Sequence, residues 1–562
     1  MNWRWCIPVL GFLVPTLESA PPAPPSAAAD LPRMAAAHLM ARTRALSDDE
    51  FEGRAPGTRG EELATQWIVE QFAAAGLSPG GTDGTWFQKV PMVGLRSTVT
   101  AGVTLGGRQE VWTSPQDLVA WTPSPVIRGG ITNSELVFVG YGVVAPEYGW
   151  DDFKGVDVRG KTVVMLVNDP PVPDPSDPTA LDPRLFRGKA MTYYGRWTYK
   201  FESAALRGAA GALVVHETGP AGYPWFVVVN SWARENFQLE QVEGPRVDVA
   251  GWLSLETTRR LFSAAGEDFD VLKRRAVQQE FRPVPLHARA DIRITNELRR
   301  IVSRNVVGIR AGSDPALAND WVVYTAHWDH LGKDPRLDGD GIFNGALDNA
   351  SGTAGLIGIA EEFGRLAEPL KRSVMFLALT GEEQGLLGAK FYATHPLHPL
   401  RRTVANLNLD GLNPWGRTRD VAVVGLGNST LDDLAIREAD RQGRVVTSEP
   451  MPEKGTFYRS DHFEFAKVGV PALYLKSGLD YLGRPPGWGK AQADAFTERD
   501  YHKVSDEVKD DWDFSGAVED LQILYRIGLE LSQGPVWPEW KPGTEFKAVR
   551  DAMMREPTSS RP

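Results

Sequence analysis

From Ile301 onward the chain repeats one pattern, a short apolar run followed by a turn and an amphipathic stretch. The apolar runs are NVVGIR, WVVYTAH, SVMFLAL, VANLNLD, VAVVG and VPALYL. Between and after them, SGTAGLIGIAEEFGRL, a stretch from Gly385 to Tyr392, LDDLAIREADRQG and a closing stretch near Phe514 to Leu531 carry helical spacing. Strands apolar along their whole length must be buried on both faces, and helices between them supply the cover. The predicted fold is therefore α/β: an open, mostly parallel twisted sheet with helices on both faces. In such sheets functional sites form in the loops beyond the strand carboxyl ends.

The chain before this block reads differently. EELATQWIVEQFAAAGLSPGG is a predicted helix stopped by Gly76, with strands near Trp86 to Pro91 and Val99 to Leu105. From about residue 125, ELVFVGYGVV, KTVVMLVNDP, AAGALVVHE and WFVVVN are short β-branched runs between Gly, Pro and Asp turns, all read as strands. YKFESAALRGAAGALVV reads as a helix leading into a strand. These rhythms divide the chain into a leader (1–29), an N-terminal part of the main domain (30–124), a β-rich α/β insertion (125–290), the main domain (291–540) and a tail (541–562). The leader has one positive residue, Arg4, an apolar run from about Trp5 to Leu17, and small residues up to Ala29, the layout of a secretory signal. A periplasmic or secreted protein is expected. The apolar run is too short for a standard membrane span, so no stable membrane insertion is expected after cleavage. The one cysteine, Cys6, lies in this leader, which removes disulfides, thiolate ligands and a cysteine nucleophile from the mature chain. A formal charge of -11 gives no electrostatic case for binding nucleic acid or an anionic membrane.

The informative polar residues stand just after the apolar runs. His327 and Asp329 follow WVVYTA, Glu382 and Glu383 follow SVMFLALTG, and Asp410 ends VANLNLD. Asp348 lies in the turn GALDNASGTAG, and His502 in RDYHKVSDE. Any one of these reads as a loop residue or helix cap. Together they place several carboxylates where parallel strand ends converge, and converging carboxylates without a cation repel one another. Two histidines and three carboxylates suit two divalent ions held by oxygen and nitrogen, which permits zinc and also cobalt or manganese. Of Glu382 and Glu383, one can ligate while the other acts as general base; their spacing does not say which.

In order and spacing, AHWDHLG, DNASGTAGL, TGEEQGLLGA, NLNLDG, SDHFEFAKVGVPAL and YHKVSDE resemble the signatures of the M28 family of co-catalytic zinc aminopeptidases. Residues 125–290 resemble the protease-associated (PA) domain inserted in a subset of that family. The resemblance implies two zinc ions bridged by Asp348, with His327 and Asp410 completing one shell and Glu383 and His502 the other. It implies Glu382 as the general base that takes a proton from the attacking water and delivers it to the leaving amine. Asp329 would accept a hydrogen bond from the second ring nitrogen of His327 and fix its tautomer, and Tyr501 would stabilise the oxyanion. The implied substrates are peptide or small-protein N-termini.

Competing readings have less support. Thr325 stands where a His-x-His-x-Asp-His hydrolase needs its first histidine, no convincing Gly-x-Ser-x-Gly elbow occurs, and GEEQG is not His-Glu-x-x-His. A two-metal carboxypeptidase would need a basic pocket, a glutaminyl cyclase would work with one zinc, and a receptor-like binding module would have lost its ligands. Of the other histidines, His462 is expected to position loops around the pocket, His330 to be a neighbour, and His395 and His398 to lie at the surface.

Overall fold

The computed structural model describes Met1 and residues 34–241 and 244–555. The leader expected at 1–29 lies, but for Met1, outside them. Two long antiparallel strands, Phe87–Leu105 and Val284–Arg310, pair along their shared length, from Phe87 opposite Val306 to Leu105 opposite Ala288. The sequence suggested two short strands within the first of them; Pro91 at its intermediate burial interrupts the apolar pattern without breaking the pairing.

The far ends of this ribbon carry two stacks of strands. At one end Val306–Arg310 pairs with Ser373–Leu379, which continues in parallel to Trp321–His327, Thr403–Asn408 and Ala472–Ser477. At the other end Val284–Thr295 pairs with Arg128–Phe138, which continues in parallel to Thr162–Leu166, Gly211–Val215 and Val249–Leu253. Among the described residues all belong to one sixteen-stranded sheet.

Alternation along the strands shows why both faces are covered. Val322, Tyr324 and Ala326 point into a core shared with Ile68, Phe72, Ile357 and Leu521, whereas Trp321 and Val323 point into one shared with Tyr392 and Phe465. The helices Arg59–Ala74, Gly352–Gly364 and Ser515–Gln533 close the first face, and Leu387–Thr394 and His462–Lys467 the second. The second stack behaves alike: Phe138 and Leu166 face Phe262, while Val137 and Met165 face Trp197 and Ala204.

One reading of the 125–290 region is overturned. WFVVVN is not a strand but the start of a helix, Trp225–Trp232. Pro224 precedes the first turn, where its missing N–H costs nothing. Val227 and Val228 are buried, and Trp232 stacks on Trp121 at 4.7 Å. Packing has overridden the extended preference of a valine run. In what reads as a tail, Lys547–Arg555 is helical, and its buried Arg550 donates to the carbonyls of Leu400 and Thr403.

Candidate metal centre

Three of the four strands of the parallel stack deliver a residue within a few positions of their carboxyl ends. His327 is the last residue of Trp321–His327, Glu382 and Glu383 follow Leu379 by three and four positions, and Asp410 follows Asn408 by two. Asp348 comes from the turn before the helix Gly352–Gly364. The buried Asp506 carboxylate accepts the backbone N–H of Leu347 at 3.0 Å and of Asp348 at 3.1 Å and so holds that turn. His502 sits at φ 58, a left-handed conformation unusual for a residue with a Cβ.

These residues converge. His327 Nε2 lies 3.4 Å from Asp348 Oδ1 and 3.7 Å from Asp410 Oδ1, with Glu382 Oε2 at 3.9 Å. His502 Nε2 lies 3.3 Å from Asp348 Oδ2 and 3.0 Å from Glu383 Oε2. The two oxygens of Asp348 thus face different histidines, as a bridging carboxylate requires. Both Nε2 atoms are buried and, among the described residues, lack a hydrogen-bond partner despite this proximity, a costly arrangement for a polar atom unless a cation receives the lone pair. His327, Asp348 and Glu383 form one cluster of possible ligands and His327, Glu382 and Asp410 another. The donor set, imidazole nitrogen with carboxylate oxygen, fits two divalent ions.

The surrounding contacts orient these groups. His327 Nδ1 pairs with the backbone carbonyl of Asp329 at 3.2 Å, while the Asp329 carboxylate is 3.9 Å away and instead accepts the backbone N–H of Glu382 at 3.1 Å. Asp329 therefore touches both residues, but its hydrogen-bonded carboxylate oxygen serves the glutamate turn. His330 pairs through Nδ1 with Glu383 Oε1 at 2.6 Å, leaving Oε2 toward His502. Tyr501 packs against His502, with ring centroids 4.0 Å apart.

Electrostatics separate the adjacent glutamates. Burial alone would raise both carboxyls; His502 and His330 bring Glu383 down to about 2, whereas Glu382 stays well above the usual range despite His327. Burial likewise opposes charge on His502, but Glu383 and Asp348 outweigh it and raise the imidazole to about 10. Burial, reinforced by Asp348, Glu383 and Glu382, holds the Tyr501 phenol far above its ordinary value, so it remains a donor.

His462 is fully buried between Phe457 and Tyr474, outside both clusters, and burial pushes it down to about 3. His398 stacks on Trp321 at 3.8 Å.

Sequence reasoning missed three supports. Arg54 is completely buried and donates to the carbonyls of Leu46, Trp328, Asn344 and Gly345, placing a cation beneath the carboxylates. Asp506 holds the Asp348 turn. From the helix misread as a strand, Ser231 Oγ pairs with His502 Nδ1 at 2.9 Å and Asn230 Nδ2 donates to the His502 carbonyl at 3.0 Å. The only signals were a lone arginine in EGRAPG, an acid in VSDE and a polar pair ending a valine run.

Residues 305–525 match the model of peptidase family M28. The aminopeptidase YwaD of Bacillus subtilis (strain 168) is 28% identical over 180 residues, 30% of this chain and 34% of that protein. Leupeptin-inactivating enzyme 1 of Streptomyces exfoliatus is 26% identical over 257 residues, 44% of this chain and 52% of that one. The matched stretches thus span about a third and a half of these relatives. In solved structures, an aminopeptidase from Aneurinibacillus sp. strain AM-1 shares the fold with a TM-score of 0.50 at 18% identity, over 90% of this chain and 95% of that one. The mixed α/β architecture with its large, mostly parallel sheet is that of these peptidases, and the region that holds the paired metal-ligand clusters is homologous to M28-family aminopeptidases.

Proposed function

We propose that this chain is a zinc-dependent aminopeptidase that removes residues from the N-termini of peptides. One observation carries the reading: two buried histidine Nε2 atoms, without partners among the described residues, face opposite oxygens of one aspartate at the carboxyl end of parallel strands. In this proposal Asp348, His327 and Asp410 would hold one ion, and Asp348, Glu383 and His502 the other. When bound, the ions polarise the scissile carbonyl and lower the pKa of the attacking water.

The chain's own groups do the rest. Glu382, whose raised pKa makes its carboxylate the more basic of the two adjacent glutamates, takes a proton from the attacking water and passes it to the leaving amine. The Tyr501 hydroxyl, kept protonated, donates to the oxyanion. Asp329 holds the Glu382 backbone, and His330 fixes which oxygen of Glu383 turns inward. Residues 125–290 serve as a PA-like insertion that shades the cleft, and the leader directs the protein to the periplasm or beyond.

The test compares unblocked and N-acetylated peptides before and after chelation. We expect release of a free N-terminal residue from the unblocked peptide only, lost on chelation and restored by zinc. Equal cleavage of the blocked peptide, or release of the C-terminal residue, would overturn the aminopeptidase reading; activity surviving exhaustive metal removal would overturn the metal chemistry.

A further inference from the structure

Two arginines meet beside the metal centre. Arg196, from the 125–290 region, donates through Nε to the carbonyl of Tyr458 at 3.0 Å. Arg459, from the main domain, donates through Nη2 to the carbonyl of Ala221 at 2.5 Å and lies over the Tyr223 ring, 5.0 Å from its centroid. Each therefore reaches across to the other region. Both line a cavity of about 90 Å³ that also exposes Glu382, Tyr501 and His502. Arg459 further lines a larger cavity, of about 260 Å³, that opens onto Asp348 and Asp410.

Carboxylates of Glu382 and Glu383 line the same cavity, but neither arginine is paired with them. Among the described residues neither guanidinium is ion-paired to a carboxylate, and their direct partners are carbonyls and aromatic rings. The Nε of Arg459 is buried with no partner among the described residues. Burial first, and the neighbouring Arg459 second, push Arg196 down to about 10. Glu449, on the wall of the larger cavity, senses Arg459 without contacting it, and burial raises its carboxyl toward the neutral form. With Arg196 Nε and Arg459 Nη2 committed to carbonyls, the remaining guanidinium N–H groups of the two neighbours are the donors that suit one planar carboxylate.

We infer that Arg196 and Arg459 form a receptor for a carboxylate of the substrate, so that the enzyme prefers substrates carrying a negative charge close to the scissile bond. This rests on the aminopeptidase reading for the position of that bond. The carboxylate has two possible sources, the C-terminus of a dipeptide or an acidic side chain. A receptor in the cavity that also exposes Glu382 and His502 favours very short peptides over long ones in the first case, and Asp or Glu residues in the second.

The experiment uses the full zinc-loaded chain with two matched pairs: Leu-Leu against Leu-Leu-amide, and the p-nitroanilides of Glu and Gln. Charge-assisted hydrogen bonds predict a preference of about 10- to 100-fold in kcat/KM for the charged member of one pair, expressed in KM. The pair that shows it identifies the source. Arg459→Gln and Arg196→Gln should each shrink that ratio at least about fivefold, and Arg459→Lys should restore part of it. Binding of the same pairs to the Glu382→Gln variant, measured by calorimetry, reads the preference without turnover. Equal affinity and equal kcat/KM within both pairs would overturn the receptor while leaving the peptidase intact. Charge-selective binding without hydrolysis by the wild-type chain would support the receptor and overturn the proposed function.

Discussion

The two parallel stacks of this sheet are built alike and used differently. In both, four strands lie side by side with buried faces, and in both, polar residues follow the strand ends. After Thr162–Leu166 come Asn168 and Asp169, and after Gly211–Val215 comes His216. There each group is answered from within. Asp169 accepts the backbone N–H and hydroxyl of Thr192, Lys200 donates to the Asn168 carbonyl, and His216 Nε2 pairs with the Tyr223 carbonyl. At the ends of Trp321–His327 and its neighbours, by contrast, the His327 and His502 Nε2 atoms stand among carboxylates with no hydrogen-bond partner among the described residues. Topology makes a strand end available; an unanswered convergence of donors marks it as a site.

The largest expected effect tests the unanswered side. Glu382→Gln keeps side-chain size and the metal donors while removing proton transfer, so turnover should fall about 10²- to 10⁴-fold with metal content unchanged. Turnover within a few-fold of wild type would dismiss Glu382 as the base, and loss of metal would make it a ligand. Asp169→Ala tests the answered side. It strips the acceptor from Thr192 and removes a carboxylate beside the buried Lys200, so stability should fall by about 3 kcal/mol in chemical denaturation, with metal stoichiometry unaltered. A change in metal content would place that cluster in the site and erase the contrast.

Much of the contrast was legible in the sequence, because the rule connecting strand ends to sites is local. WVVYTAH, SVMFLAL and VANLNLD announce buried strands, and the residues closing them are the ones that converge. What the sequence concealed is contact between segments far apart. Arg54 reaches Asn344 and Gly345 across almost three hundred positions, and no periodicity announces such a partner. Ser231 was doubly hidden. The valine run before it favours a strand, and only the packing of Val227, Val228 and Trp232 makes the segment a helix that turns Ser231 to His502. Asp329 shows the same limit at short range. The resemblance implied a carboxylate–imidazole bond to His327, but the turn gives that role to the backbone carbonyl and lends the carboxylate to Glu382.

Ser231 is also where the two regions cease to be separable. If its hydroxyl fixes the His502 tautomer, Ser231→Ala should weaken binding of one of two zinc ions about 10- to 100-fold while sparing the other. Competition with a chromogenic chelator would resolve the two sites. Ser231→Thr, which retains the hydroxyl, should keep most of the affinity. Equal binding by the wild type and the alanine variant would reduce this contact to packing.

The smallest effect concerns His216 and separates stability from catalysis. Burial depresses its folded-state pKa to about 4 from an ordinary 6.5, although its bond to the Tyr223 carbonyl works the other way. A depressed pKa means that the unfolded chain binds the proton more readily. The contribution of the neutral ring is therefore present above pH 6.5 and is lost as the pH falls toward 4. At pH 5 the loss amounts to about 2 kcal/mol. Replacing His216 by Phe keeps an aromatic ring among Tyr223, Trp225 and Trp252 and removes the titration. Urea denaturation at pH 7 and pH 5 should then show a smaller acid-induced drop for His216→Phe than for the wild type, the difference being about 2 kcal/mol, because the other carboxylates and histidines are common to both chains. Metal stoichiometry at pH 7 should be the same in both. An identical acid limb would mean that His216 is charged in the folded state, and its strand end would then belong with the unanswered groups.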